Sequence, residues 1–168
     1  MVQPLATHDD SPLIVLTTDF GLSNAVGVMK GVILTINPRA AIIDLTHQIP
    51  PQNIRQGSFI LGNDHRFFPN KAIHVAVVDP GVGTSRSGLL ILTPRGRFVA
   101  PDNGLLTNVI WDRSAPTVSE DGPASLPAGC VAYRLTEKGF WLDPVSDTFH
   151  GRDVFAPVAA HLSLGVSA

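Results

Sequence analysis

The chain has 168 residues, 44% of them hydrophobic, with a single cysteine, 15% charged residues and a net charge of −2. That size and apolar content suit one domain with one core, and the balanced charge excludes a disordered acidic tail or a basic face for nucleic acid or anionic lipid. Cys130 alone excludes an intramolecular disulfide and suits packing in a reducing compartment. The start lacks a basic segment followed by an apolar one, and no apolar run reaches membrane-spanning length, so a cytoplasmic protein is expected.

Residues 1–12, polar and punctuated by Pro4 and Pro12, read as a flexible lead-in to one α/β domain over 13–168. "LIVLTTD" predicts a buried strand ending in the carboxylate of Asp19. "SNAVGVMKGVILTINP" places Val26, Met29, Ile33 and Ile36 at helical spacing, with Ser23 as cap and Pro38 as stop. "AAIIDLTH" predicts a second strand, "NIRQGSFILGNDHRFF" a second helix and "KAIHVAVVD" a third strand. Alternation of near-continuous apolar runs with helices predicts parallel strands covered on both faces. "GLLILTPRGRFVAP" predicts two strands joined at Pro94-Arg95-Gly96 as an antiparallel addition. Ser114 to Gly129 reads as a loop, "CVAYRL" as a strand, and "DVFAPVAAHLSLG" as a last helix with Gly165 at its C-terminus.

Asp19, Thr46, His47 and Asp79 all fall at the C-terminal ends of the predicted parallel strands, the edge where open α/β sheets bind ligands. Beyond Asp79 runs "VVDPGVGTSR". It lacks the lysine of a P-loop, and Arg86 stands where a dinucleotide fingerprint needs its third glycine. Two readings stay open: a Gly-Pro turn leaving the sheet, or a loop that folds back so that Arg86 meets Asp79.

In "LTTDFG", Asp19 fits either a helix cap or a carboxylate that binds a ribose diol. The tripeptide DFG has no kinase catalytic loop or strand lysine beside it. His150, in "TFHGRD", stands at a helix start where side chains converge on ligands; His47 is a lesser candidate. His8, His65, His74 and His161 read as structural or solvated. Asp19, Asp79 and His150 would make a facial metal set, but Arg86 opposes a cation, so no metal is expected. A serine-hydrolase elbow, G-x-S-x-G, is missing.

The ordered motifs "LTTDFG", "MKGVI", "DLTHQIP", "FFP", "VVDPGVGTSR", "APDNGLLT" and "TFHGRDVFAPVAAHL" resemble the S-adenosyl-L-methionine (SAM) hydrolase, or SAM hydroxide adenosyltransferase, family. Its relatives include the SAM-dependent fluorinase and chlorinase, and the resemblance runs over roughly residues 13–165. It implies a three-layer α/β/α sandwich with a mostly parallel sheet, a homotrimer, and attack of water or hydroxide on C5′ of SAM. SAM is then the substrate, and no cofactor is implied.

The family's catalytic triad maps to Asp79, Arg86 and His150. Substrate contacts map to Asp19, Phe20, Asn24, Gln52, Thr148, Phe149 and Gly151, with Asp19 on the ribose. The fluorinase has tyrosine at the place of Asp79 and serine at that of Gly151. A carboxylate repels a halide, so Asp79 favours water as nucleophile over a halogenase. Pairing with Arg86 makes Asp79 a weak base, so the triad is expected mainly to orient water, with His150 placed to pass the proton on.

The family usually carries a second, small β-barrel domain, and its site is shared with a neighbouring subunit's copy of that domain. That domain is expected to be absent here, which leaves a non-catalytic SAM- or adenosine-binding and assembly domain as the alternative.

Overall fold

The computed structural model describes residues 12–111 and 125–167. The expected lead-in lies almost wholly outside them, and so does most of the expected loop. Residues 125–130 carry no helix or strand. The six strands of the described residues belong to one sheet, in the order β2-β1-β3-β5-β4-β6.

β1 (Ile14–Thr18) and β3 (Ile73–Val77) lie side by side in parallel, and both are buried along their full length. Their near-continuous apolar runs follow from this, because both faces of the sheet are covered. β2 (Ile42–Thr46) pairs in parallel with the other side of β1 and forms one edge of the sheet, with Ile43 and Asp44 exposed.

β4 (Gly88–Thr93) and β5 (Gly96–Pro101) form the expected antiparallel pair around Pro94 and Arg95. The second strand of that hairpin docks parallel to β3, so the first is pushed outward. β6 (Val131–Arg134) then closes the order antiparallel to β4.

Two cores flank the sheet. On one face Leu16, Val75, Val77 and Val99 pack with Met29 and Ile33 of α1 (Ala25–Ile36) and with Ala159 and Leu162 of α4 (Ala156–Ser163). On the other, Ala76, Val78, Ile91 and Phe98 pack with Leu61 of α2 (Ile54–Asp64) beside the short α3 (Thr107–Ile110). The alternation of β3 residues between the two sets is the strand period of two. The result is the expected α/β/α sandwich.

α1, α2 and α4 fall where the sequence reading places helices, α3 is additional, and two helix starts depart from the reading. α1 starts at Ala25, and Ser23 caps it from one position further out, its hydroxyl accepting from the Ala25 N–H at 3.4 Å. The last helix does not begin as an α-helix: Gly151–Phe155 is a single π-helical segment that runs into α4. Such wide turns are common where a site must be shaped.

Candidate active site

The loop after β3 folds back through successive turns. Val82 N–H donates to the Asp79 carbonyl at 3.2 Å, and Thr84 N–H donates to the Gly81 carbonyl at 3.2 Å. The Thr84 hydroxyl accepts from Arg86 N–H at 3.3 Å. Arg86 thereby meets Asp79 in a two-pronged pair: Nε donates to Oδ1 at 2.9 Å, and Nη2 donates to Oδ2. Both side chains are largely withdrawn from solvent, at 12% and 5% exposure for Arg86 and Asp79. Of the two readings left open by the sequence, the folded-back loop is the one the structure adopts.

One glycine of the loop allows a close approach to another segment. Gly83 has φ +78°, and a Cβ there would stand 2.2 Å from the carbonyl oxygen of Asp147. The loop bearing Asp79 and Arg86 is therefore pressed onto the segment that leads to His150.

That segment is held by a residue the sequence reading did not single out. Asp153 is 1% exposed, and its Oδ2 accepts from the Ser146 backbone N–H at 2.9 Å and from its hydroxyl at 2.8 Å. The Ser146 hydroxyl accepts in turn from Phe149 N–H at 3.1 Å. A carboxylate three residues beyond His150, at a helix start, was the available signal. It fixes Thr148, Phe149 and His150 before the π turn begins.

His150 completes the group. Its Nδ1 lies 2.9 Å from Arg86 Nη2. A guanidinium only donates, so Nδ1 accepts and the ring's proton sits on Nε2, an assignment made from the partner. Burial, and then the nearby Arg86 charge, lower the pKa of His150 despite opposing pulls from Asp79, Asp153 and Asp147. The neutral ring is the favoured form. Arg86 also lies over the Phe155 ring, 5.2 Å from its centroid, so its position is fixed from a third side.

These groups border a cleft of about 280 Å³ at the C-terminal edge of β1 and β3. Asp19, Phe20, Gln52, Asp79, Thr148, Phe149, His150 and Gly151 line it, with Pro51, Val77 and Val82. Arg86 stands behind Asp79 rather than in the lining. Asn24 is exposed at the N-terminus of α1 and does not line the cleft.

Asp19 Oδ2 accepts from the Gln52 N–H at 2.7 Å, so it is tied to the Pro51–Gln52 turn rather than capping α1. Phe20 and Phe149 meet edge to face at 5.7 Å. A Cβ on Gly151 would crowd Phe149, Met29 and Phe20 at 3.1–3.4 Å, so its missing side chain keeps the cleft open. Among the described residues no group of three or more His, Cys, Asp or Glu could hold a metal ion, and no helix is long and apolar enough to cross a membrane.

Comparison with known proteins gives this geometry a context. Residues 14–168 match the model of the SAM hydroxide adenosyltransferase N-terminal domain. An (R)-S-adenosyl-L-methionine hydrolase of Salinispora tropica is 41% identical over 156 residues, covering 92% of this chain and 54% of that protein. A protein of the same name from Thermus thermophilus is 40% identical, over 89% of this chain and 56% of its own length. A fluorinase of Nocardia brasiliensis is 24% identical, over 95% of this chain and 56% of its own length.

Among solved structures, that of an uncharacterized conserved protein from Thermotoga maritima aligns with a TM-score of 0.80 at 41% identity, over 92% of this chain and 55% of that one. The chain thus spans about half the length of the relatives it matches. By the family model and by these identities, it belongs to the SAM hydroxide adenosyltransferase family, through that family's N-terminal domain.

Proposed function

We propose that the protein hydrolyses SAM to adenosine and L-methionine, with no cofactor, as a cytoplasmic homotrimer. The observation that carries this reading is the continuous Asp79–Arg86–His150 contact at the wall of a cleft that also holds Asp19. Water oxygen bonds to C5′ as the C5′–S bond breaks. The bonding pair passes to sulfur, which leaves as the neutral thioether of methionine, and the proton lost by the attacking water passes to solvent.

The sulfonium is already a good leaving group, so sulfur needs no acid. The difficulty lies in aiming the water. Asp79, paired on both oxygens with Arg86, serves as a fixed acceptor. His150 turns Nδ1 to Arg86 and has Nε2–H left to donate to the oxygen of the attacking water. Positioning of this kind contributes roughly 7–11 kcal/mol to lowering a barrier. Asp19 accepts from the ribose hydroxyls, and Phe20 and Phe149 give the nucleoside an apolar wall.

A second reading has one observation in its favour. The cleft, at about 280 Å³, lies at the small end of the roughly 300–1,000 Å³ usual for a ligand pocket. A binding and assembly domain whose site is completed elsewhere would look like this.

Incubating the full chain with SAM and separating the products by chromatography decides between the two. Adenosine and methionine in equal amounts, lost in Asp79→Ala, are expected. Adenosine at the uncatalysed background would remove the enzyme reading. A halogenated nucleoside formed in chloride or fluoride would overturn water as the nucleophile.

A further inference from the structure

His47 has no place in the chemistry above, yet it stands in a chain of contacts that ends at the cleft. Its side chain is 13% exposed. Nδ1 lies 2.9 Å from the Thr18 hydroxyl, and Nε2 lies 3.1 Å from Asp44 Oδ1. Lys30 Nζ donates to the other oxygen of Asp44 at 2.6 Å. Burial would raise the pKa of Asp44, but its contacts with Lys30 and His47 outweigh that and hold the carboxyl below its usual value.

A carboxylate beside Nε2 repels a lone pair there and favours an N–H. Asp44 is off the line of that N–H, so the contact is charge to dipole rather than an aligned hydrogen bond. With the ring neutral, Nδ1 is then the acceptor, and the Thr18 hydroxyl donates to it. The same Thr18 oxygen accepts from Phe20 N–H at 3.2 Å. Thr18 itself is fully buried, so its hydroxyl is no nucleophile despite the Asp-His-Thr order.

The backbone on either side of Phe20 is fixed as well. Asp19 N–H donates to the Val77 carbonyl at 3.4 Å, and Gly21 N–H donates to the carbonyl of His47 at 2.8 Å. His47 therefore holds the Asp19–Gly21 turn twice, once through its own backbone and once through Thr18.

We propose that Asp44, His47 and Thr18 form a positioning relay. It sets the turn that presents Asp19 and Phe20 to the cleft, so His47 and Thr18 govern affinity for the nucleoside part of the substrate. The consequence for SAM turnover rests on the hydrolase reading; the relay itself does not.

The test uses the full-length chain carrying Thr18→Val, which keeps the shape and removes donor and acceptor together, with Thr18→Ser as the conservative control. Hydrogen exchange at the Phe20 amide is expected to quicken in Thr18→Val and to return toward wild type in Thr18→Ser. With SAM, KM is expected to rise about tenfold in Thr18→Val, with kcat within about twofold, as one lost hydrogen bond implies. Phe20 exchange unchanged in Thr18→Val overturns the relay, whether or not the wild type turns SAM over. A fall in kcat at unchanged KM would also overturn it, because it would place Thr18 in the chemical step. A wild type that is inactive yet shows the exchange change removes the hydrolase reading and leaves the relay standing.

Discussion

Two histidines on opposite faces of the sheet show how differently one side chain is used. His150, at the cleft, is gripped through Nδ1 by Arg86 and lines the cleft. His74, near the start of β3 on the other face, is fully buried, stacked on Phe98 at 4.8 Å and edge-on to His65 and Phe68. Neither of its ring nitrogens has a hydrogen-bond partner among the described residues. Burial, and then the neighbouring His65, bring its pKa down to about 4. The first ring is held by polar partners and aimed; the second behaves as a flat apolar filler. The lesson is that a histidine's neighbours, not its burial alone, separate a working group from a packed one.

The strongest way to break the contrast is to remove the partner that defines the first region. Arg86→Leu leaves Asp79 and His150 without their shared donor. SAM turnover is expected to fall about 10³-fold, roughly 4 kcal/mol on the barrier. Steady-state kinetics retaining a tenth of wild-type kcat would mean that the contact does not serve catalysis.

The second region answers to acid. The folded pKa of His74 lies below that of the unfolded chain, so the unfolded state binds more protons between the two. Its contribution to stability is fully present above pH 6.5 and is lost progressively as pH falls toward 4. At 1.36 kcal/mol per pH unit the loss amounts to about 3 kcal/mol. Urea unfolding of wild type and His74→Phe across that range checks it: the variant, which keeps the ring stack, should lose this part of the slope.

A smaller effect is expected where the loop meets the segment before His150. Gly83→Ala forces a Cβ against the Asp147 carbonyl and strains φ, and should cost about 1–3 kcal/mol in stability while lowering turnover. Gly27→Ala, in α1 with nothing within 4 Å, is the control and should stabilise by about 0.5–1 kcal/mol. Thermal melts that rank the two variants the other way would refute the close-approach account.

The smallest effect concerns pH and activity. Arg86 occupies Nδ1, so the working form of His150 is neutral, and its lowered pKa preserves that form as acidity rises through 6.5. The acid limb of kcat/KM should therefore lie below the ordinary histidine value. A limb at 6.5 or above would contradict the assignment.

Much of the architecture was legible because β1 and β3 are buried along their full length and so carry near-continuous apolar runs. The docking of β5 beside β3 was not legible, since a hairpin's local signals name its turn and not which strand will find an outside partner. The π turn was hidden for a related reason: residue type does not tell a π turn from the start of an α-helix, and only packing decides how tightly Gly151–Phe155 winds. Within the site, Asp79, Arg86 and His150 could be named from ordered motifs, and the structure brings them together. Asp153 was overlooked because a carboxylate near a helix start looks like an ordinary solvated cap, and its partner Ser146 becomes visible only once the segment folds over it. Asn24, named from its place in a motif, is exposed at the start of α1 and outside the cleft lining.

The wide turn at Gly151–Phe155 also sets an angular register. Each residue of an α-helix advances the chain by about 100°, so deleting one residue here would leave α4 seated on the sheet while swinging His150 roughly a quarter-turn about the helix axis. The segment works as a phase offset between two fixed bodies, the helix that the core demands and the cleft that the loop demands. Insertions and deletions at this point would retune the direction of a side chain with the fold left intact, which no substitution at His150 itself can do.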